Sequence, residues 1–176
     1  MSKKPTTDIH DENGSYERII ELMTNDEALI AELKSCVENP KKYFSENAER
    51  YEERWFEGNE SDDKIIWIGI ADAMISAGEA VELDWKAELE EFLWNVRELS
   101  DKHSLELRDE WFEENDDIPK WCKLLDDRWR ERDFCIAAMD IDSDSYVMFV
   151  CRTDMQASLA AFSKELGHRF DFAKNM

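Results

Sequence analysis

The stretch "FCIAAMDIDSDSYVMFVCR", residues 134–152, decides the fold of this 176-residue chain. Two largely apolar runs, 134–141 and 145–152, meet at a short polar turn. Three aspartates stand at alternate positions where the runs meet: Asp140, Asp142 and Asp144. Apolar runs of this length that are bounded by turn residues are typical of buried strands. The stretch therefore predicts a β-hairpin and a sheet that is at least partly antiparallel.

The rest of the chain shows mostly helical periodicity. Helices are predicted at 15–23, 25–39, 40–56, 62–78, 85–99, 118–133 and 153–167, and two further strands at 79–85 and 168–173. The segment 62–78 is apolar nearly all round, which indicates a central buried helix and a buried Trp67. Asp84 is predicted to cap the helix 85–99, with Trp94 buried along it.

These elements predict an α+β fold. Its helical N-terminal two thirds packs on a small, mostly antiparallel sheet, with a hairpin, a helix and a strand at the C-terminal end. Length and a hydrophobic content of 43% predict a single domain over residues 14–176. Residues 1–13 are polar and are predicted to form a flexible tail.

The charge of the chain restricts its partners. It carries 22 Lys and Arg against 43 Asp and Glu, a net charge of −21. Such a surface repels nucleic acid and anionic membranes and attracts basic partners. No apolar run is long enough to span a membrane, and the start has no secretory signal, so we expect a cytoplasmic protein. The cysteines are expected to be reduced core thiols: Cys36, Cys122, Cys135 and Cys151.

The aspartate segment resembles two kinds of metal site but fits neither. A calcium-binding loop that began at Asp140 would need Gly and Glu at its sixth and twelfth positions, where Ser145 and Cys151 stand. A phosphatase-like DxDx[TV] motif would need Thr or Val in place of Asp144. Aspartate and serine are ordinary residues of tight turns. We therefore interpret the segment as a hairpin turn with no metal site.

Other motifs of catalysis are also missing from the sequence. The three histidines have no ligand spacing, no GxSxG elbow is present, and five glycines form no phosphate-binding loop. Cys151, beside Arg152, is the one candidate nucleophile, and we interpret it as a buried structural thiol. The sequence predicts no catalytic, metal-binding or cofactor-binding residues, no cofactor and no enzyme activity.

The acidic residues are concentrated in one part of the chain. Residues 44–117 contain 24 acidic and 7 basic residues, a net charge of −17. Within this region, "RDEWFEENDD" (108–117) places acidic residues around Trp111 and Phe112, which look exposed. The segment is either a solvated surface or an acidic patch with aromatic anchors for a basic partner. In the second case the binding residues are Asp109, Glu110, Trp111, Glu113, Glu114, Asp116 and Asp117. Residues 44–60 have a similar charge excess and are the alternative face.

Four stretches carry a family resemblance: "KKYFSENAERYEERWF", "IWIGIADAMISAG", "VELDWKAELEEFLW" and "MDIDSDSYVMFV". Together they resemble a family of small bacterial proteins known as a domain of unknown function, in the same order, over about residues 26–170. The resemblance implies no activity. Small acidic proteins of this kind recur as immunity partners of contact-delivered bacterial toxins.

We therefore expect an immunity protein that binds and blocks a basic toxin domain, and we expect that toxin to be a nuclease. The alternatives are a non-enzymatic cytoplasmic adaptor for another partner, a DNA mimic that inhibits a DNA-binding enzyme, and an unrecognised enzyme.

Overall fold

A four-stranded antiparallel sheet lies at the centre of the computed structural model, which describes residues 9–176. Its strands are β1 (Val81–Asp84), β2 (Phe134–Met139), β3 (Ser145–Arg152) and β4 (Phe170–Phe172). The order across the sheet is β1-β3-β2-β4, and every neighbouring pair is antiparallel. The predicted hairpin is confirmed, since β2 and β3 pair from Phe134 with Arg152 to Met139 with Val147.

Helices cover both faces of the sheet. Their bounds are α1 (Ile9–Met23), α2 (Glu27–Glu38), α3 (Pro40–Glu46), α4 (Ala48–Glu52), α5 (Asp62–Ser76), α6 (Leu89–Lys102), α7 (Ile118–Trp129) and α8 (Thr153–Glu165). The predicted α+β class is confirmed. The predicted tail, 1–13, lies mostly outside the described residues, and residues 9–13 begin α1. Within the described part of the chain, no helix is long and apolar enough to cross a membrane.

Alternate residues of the central strands supply two separate cores, as the side-chain period of a strand requires. Ala137, Met139 and Phe149 pack with residues of α1, α2, α5 and α8. Ile136, Ala138 and Met148 pack with residues of α6 and α7 on the opposite face. The sheet therefore separates a larger helical layer from a smaller one.

The central helix was predicted correctly. Ser61 caps α5 by accepting a hydrogen bond from the amide of Lys64 at 3.2 Å, and Gly78, just past the end, has a φ of 69°. Trp67 is only 3% exposed, and its Nε1 donates a hydrogen bond to the carbonyl oxygen of Asp140 at 2.7 Å. This bond connects the central helix to the aspartate turn.

The predicted helix 85–99 was wrong at its start and in one buried residue. α6 begins at Leu89, and Asp84 instead ends β1 and accepts a hydrogen bond from the amide of Lys86 at 2.8 Å. Trp94, predicted to be buried, is 68% exposed. At 3.6 residues per turn it lies about 200° around the helix from the buried Phe92. The predicted helix 40–56 is likewise interrupted, at Asn47 between α3 and α4.

The cysteines are buried and unbridged, as predicted. Cys135 and Cys151 are direct partners across β2 and β3, with their sulfur atoms 3.9 Å apart. Burial raises the pKa of the Cys36 thiol to about 12. Such thiols remain protonated and behave as small apolar side chains.

Candidate functional site

The predicted binding segment, residues 108–117, connects α6 to α7 and contains one short turn of 3₁₀ helix, Asp109–Trp111. Three contacts hold it in place. The guanidinium of Arg97 on α6 forms an ion pair with Asp109. Trp121 on α7 donates from Nε1 to the carbonyl oxygen of Glu113 at 3.0 Å. The ring of Phe112 packs edge-on against Phe92, with 6.0 Å between centroids.

The acidic side chains of this segment divide into two groups. Asp109 pairs with Arg97, Asp116 lies 3.1 Å from Lys120 Nζ, and Asp117 caps α7 by accepting from the amide of Lys120 at 3.1 Å. The other group is exposed and makes no ion pair among the side chains of residues 12–176: Glu110, Glu113 and Glu114. The first group stabilises the segment, and the second leaves negative charge directed at solvent.

The two aromatic residues of the segment are not open anchors. Phe112 was predicted to be exposed, but it is a core residue and only 9% exposed. Its ring fills the space beside Phe92. Trp111 is half-buried, and the guanidinium carbons of Arg128 and Arg108 lie 4.7 and 5.9 Å from its ring centroid. Trp111 therefore already has cationic partners within its own chain.

The exposed aromatic residue of this surface is Trp94, on α6. An open groove of about 440 Å³ runs between α6 and the segment 108–117. The buried side chains of Leu93 and Phe112 form its apolar base, and Trp94 lines one side. Glu90 lines the groove from α6 and Glu114 lines it from the segment. We call this feature the acidic groove.

Further carboxylates continue the acidic groove toward the start of α6. Glu88 and Asp116 line an adjoining depression. Glu90 and Glu91 occupy the first turn of α6, where negative charge interacts favourably with the helix dipole. In the described part of the chain neither of them has an ion-pair partner. The acidic groove is thus apolar at its base and negatively charged at its rim.

A second acidic surface lies on the alternative face, around α4. Glu49, Glu52 and Glu53 are exposed there, and Trp55 is 90% exposed with a φ of 57°. The guanidinium of Arg54 forms ion pairs with two carboxylates beneath this turn. Its Nη2 lies 2.5 Å from Asp72 Oδ1 and 2.6 Å from Glu82 Oε2.

Burial acts to raise the pKa of Asp72 and of Glu82, and the guanidinium of Arg54 acts to lower both. The balance of the two effects differs between the two carboxyl groups. Burial raises the pKa of Asp72 despite the nearby Arg54. Burial also acts to raise the pKa of Glu82, but the hydrogen bonds and charge of Arg54 outweigh it and lower that pKa.

The aspartate turn has an internal hydrogen-bond pattern. Asp142 has a φ of 55°, and its amide donates to Asp140 Oδ1 at 3.0 Å. The amide of Asp140 donates to the carbonyl oxygen of Arg169 at 3.0 Å. An aspartate side chain that accepts a bond from an amide two residues on is typical of turns. Among the side chains that the structure describes, those of residues 12–176, no three of His, Cys, Asp or Glu are grouped so that they could hold a metal ion.

One polar cluster was not predicted from the sequence. His168 Nε2 lies 3.0 Å from Asp63 Oδ1, and the Tyr16 hydroxyl donates to the same oxygen at 2.5 Å. The imidazole stacks in parallel on Trp67, with centroids 4.0 Å apart. The hydrogen bond from His168, and then that from Tyr16, lower the pKa of Asp63 although partial burial opposes them. The cluster joins α1, α5 and the segment before β4, and no sequence spacing relates its members.

A family model described as a domain of unknown function, DUF6630, matches residues 15–173 of this chain. No curated protein matches the chain, and no solved structure matches it. The matched range includes the whole sheet, the acidic groove and the aspartate turn.

Proposed function

Because this chain belongs to the DUF6630 family, whose description assigns no activity, we propose a function from its own surface: it is an immunity protein that binds and neutralises a basic toxin domain, namely a nuclease. The observation that carries the proposal is the acidic groove, where Glu90 and Glu114, which form no ion pair in the described part of the chain, line the same groove as the exposed Trp94.

Charge complementarity supports this function. A nuclease domain needs a cationic cleft for the phosphates of its substrate, and a rigid acidic surface can occupy such a cleft. The net charge of −21 attracts a cationic domain over long range and speeds its association. The groove lies between α6, which packs against the sheet, and the segment 108–117, which contacts from Arg97 and Trp121 hold in place, so little ordering is needed on binding.

The structure also improves the choice of residues for a test. Asp109, Asp116 and Asp117 hold the segment together, so their replacement would confuse folding with binding. Glu110, Glu113 and Glu114 are exposed and contribute little to stability singly. We would replace these three by lysine. The matched control replaces Glu49, Glu52 and Glu53 by lysine, with the same change in net charge, on the alternative face.

The experiment co-expresses each variant with the C-terminal domain of the protein encoded immediately upstream and measures cell survival. Wild type and the α4 control should protect, whereas the variant with lysine at positions 110, 113 and 114, beside and along the acidic groove, should not. Purified proteins should show association slowed about tenfold or more by these three substitutions at low salt, and less at high salt. Loss of protection in the control alone would place the interface around α4. Survival without this protein, or a metabolic enzyme upstream, would favour an adaptor and overturn the proposal.

A further inference from the structure

The exposed and half-buried tryptophans differ in whether a cationic side chain of this chain already lies over the ring. Lys86 Nζ lies 4.7 Å from the ring centroid of Trp85, and Arg128 and Arg108 lie over Trp111. Among residues 9–176, no lysine or arginine lies over the ring of Trp94 or of Trp55. Trp94 is thus a surface tryptophan with an unoccupied aromatic face, and it lines the acidic groove.

The immediate surroundings of Trp94 favour an external cation. Residues three and four positions away share its side of the helix. They are Glu90, Glu91, Arg97 and Glu98. Arg97 is the basic member, and its guanidinium is directed to Asp109. The face of the indole and the neighbouring carboxylates both attract positive charge, and the apolar base of the groove excludes water from one side of the contact.

The helix that carries Trp94 is held in place by its buried face. The opposite side of α6 is fixed by three core residues, Phe92, Val96 and Leu99, each at most 2% exposed. An exposed tryptophan on a fixed helix loses less conformational freedom on binding than one on a loop. Trp55, in contrast, lies in a turn and does not line the acidic groove. These features select Trp94 as the anchor.

We infer that Trp94 is the central contact for the partner and that its occupant is an arginine of a basic protein, stacked on the indole and bonded to the carboxylates of Glu90 and Glu91. Arginine fits better than lysine because a planar guanidinium can stack on a ring while its edge donates to carboxylates. The inference rests on the proposed function for the basic character of the partner.

The test uses defined peptides, so that it does not depend on the toxin. A nine-residue arginine peptide and a lysine peptide of equal length are titrated into ¹⁵N-labelled protein. The indole signal of Trp94, assigned by its disappearance in Trp94→Leu, should shift most with the arginine peptide. Trp94→Leu should weaken arginine-peptide binding about threefold, the size expected for an exposed cation–π contact, and should remove the preference for arginine over lysine. The matched control Trp55→Leu should bind as wild type does.

Equal weakening in the two leucine variants, or no change in Trp94→Leu, would overturn the inference. The two proposals can fail separately. If the glutamate substitutions abolish protection but Trp94→Leu still binds the arginine peptide normally, the immunity function stands and the role of Trp94 is wrong. If Trp94 selects arginine but the protein protects no cell, the binding chemistry stands and the immunity function is wrong.

Discussion

Replacement of Arg54 by methionine should destabilise the fold strongly at neutral pH. The guanidinium is 18% exposed and contacts Asp72 and Glu82, which are 12% and 22% exposed. Its Nε also donates to Asp72 Oδ1 at 3.2 Å, and its Nη1 to Glu82 Oε1 at 2.8 Å. Loss of one partner from a buried ion cluster costs about 3–5 kcal/mol. Because Glu82 retains some contact with water, we expect about 3 kcal/mol, near the lower limit. In a chain of this length that loss lowers Tm by about 6–12 °C.

The loss should depend on pH. In the wild type the lowered pKa of Glu82 contributes stability that is present above its unfolded pKa and lost as the pH falls. Without Arg54, partial burial and mutual repulsion both disfavour the charged carboxylates, so we expect both folded pKa values to exceed the unfolded values. Such groups destabilise the fold at neutral pH and cease to do so when they are protonated. The difference in unfolding free energy between wild type and Arg54→Met should therefore be largest near pH 7 and shrink toward pH 4.

Urea unfolding at pH 7 and pH 4 measures both effects. The control is the triple variant Arg54→Met, Asp72→Asn, Glu82→Gln, which keeps the shape of the cluster but removes the uncompensated charges. It should regain most of the stability lost at pH 7. If the triple variant were as unstable as Arg54→Met at pH 7, or if the single variant lost less than about 1 kcal/mol, the cluster would not stabilise the fold in the way described.

Three further outcomes are expected. Trp67→Ala should lower the unfolding free energy by about 3–5 kcal/mol, and an unchanged urea midpoint would contradict the central position of α5. Gly69→Ala should also destabilise, because the added Cβ would lie 2.6 Å from the hydroxyl oxygen of Tyr51. Tyr51→Phe in the same chain removes that oxygen and should restore part of the loss; no restoration would point to another cause. Calorimetry with Ca²⁺ and Mg²⁺ should detect no affinity tighter than about millimolar at the aspartate turn, and micromolar binding that Asp142→Asn abolishes would show a metal site there.

Local patterns in the sequence predicted most of the elements because they depend on neighbouring residues. The hairpin 134–152 and the apolar helix 62–78 follow from runs of apolar residues with turn or capping residues at their ends. The same periodicity could have corrected Trp94, since its angle around α6 places it opposite the buried stripe. An aromatic side chain favours burial, but the position of Trp94 on α6 decides that it is exposed.

Contacts between distant parts of the chain could not be predicted in this way. The bond of Arg54 with Glu82 spans 28 residues, and that of His168 with Asp63 spans 105. The engagement of Asp109 by Arg97 depends on how the segment 108–117 folds back along α6. The sequence does not show these pairings, so it cannot separate the acidic residues of the segment 108–117 that form ion pairs from those that do not. The structure separates those that stabilise the segment from those available to a partner.

The separation of the core by the sheet has a consequence for how such a protein can change. The acidic groove belongs entirely to the layer of α6 and α7, whereas the larger core of α1, α2, α5 and α8 lies behind β2 and β3. Substitutions at Trp94 or along the rim of the groove do not touch the packing of the larger layer. In evolution, the surface of the acidic groove can therefore change while the packing of the larger core stays intact.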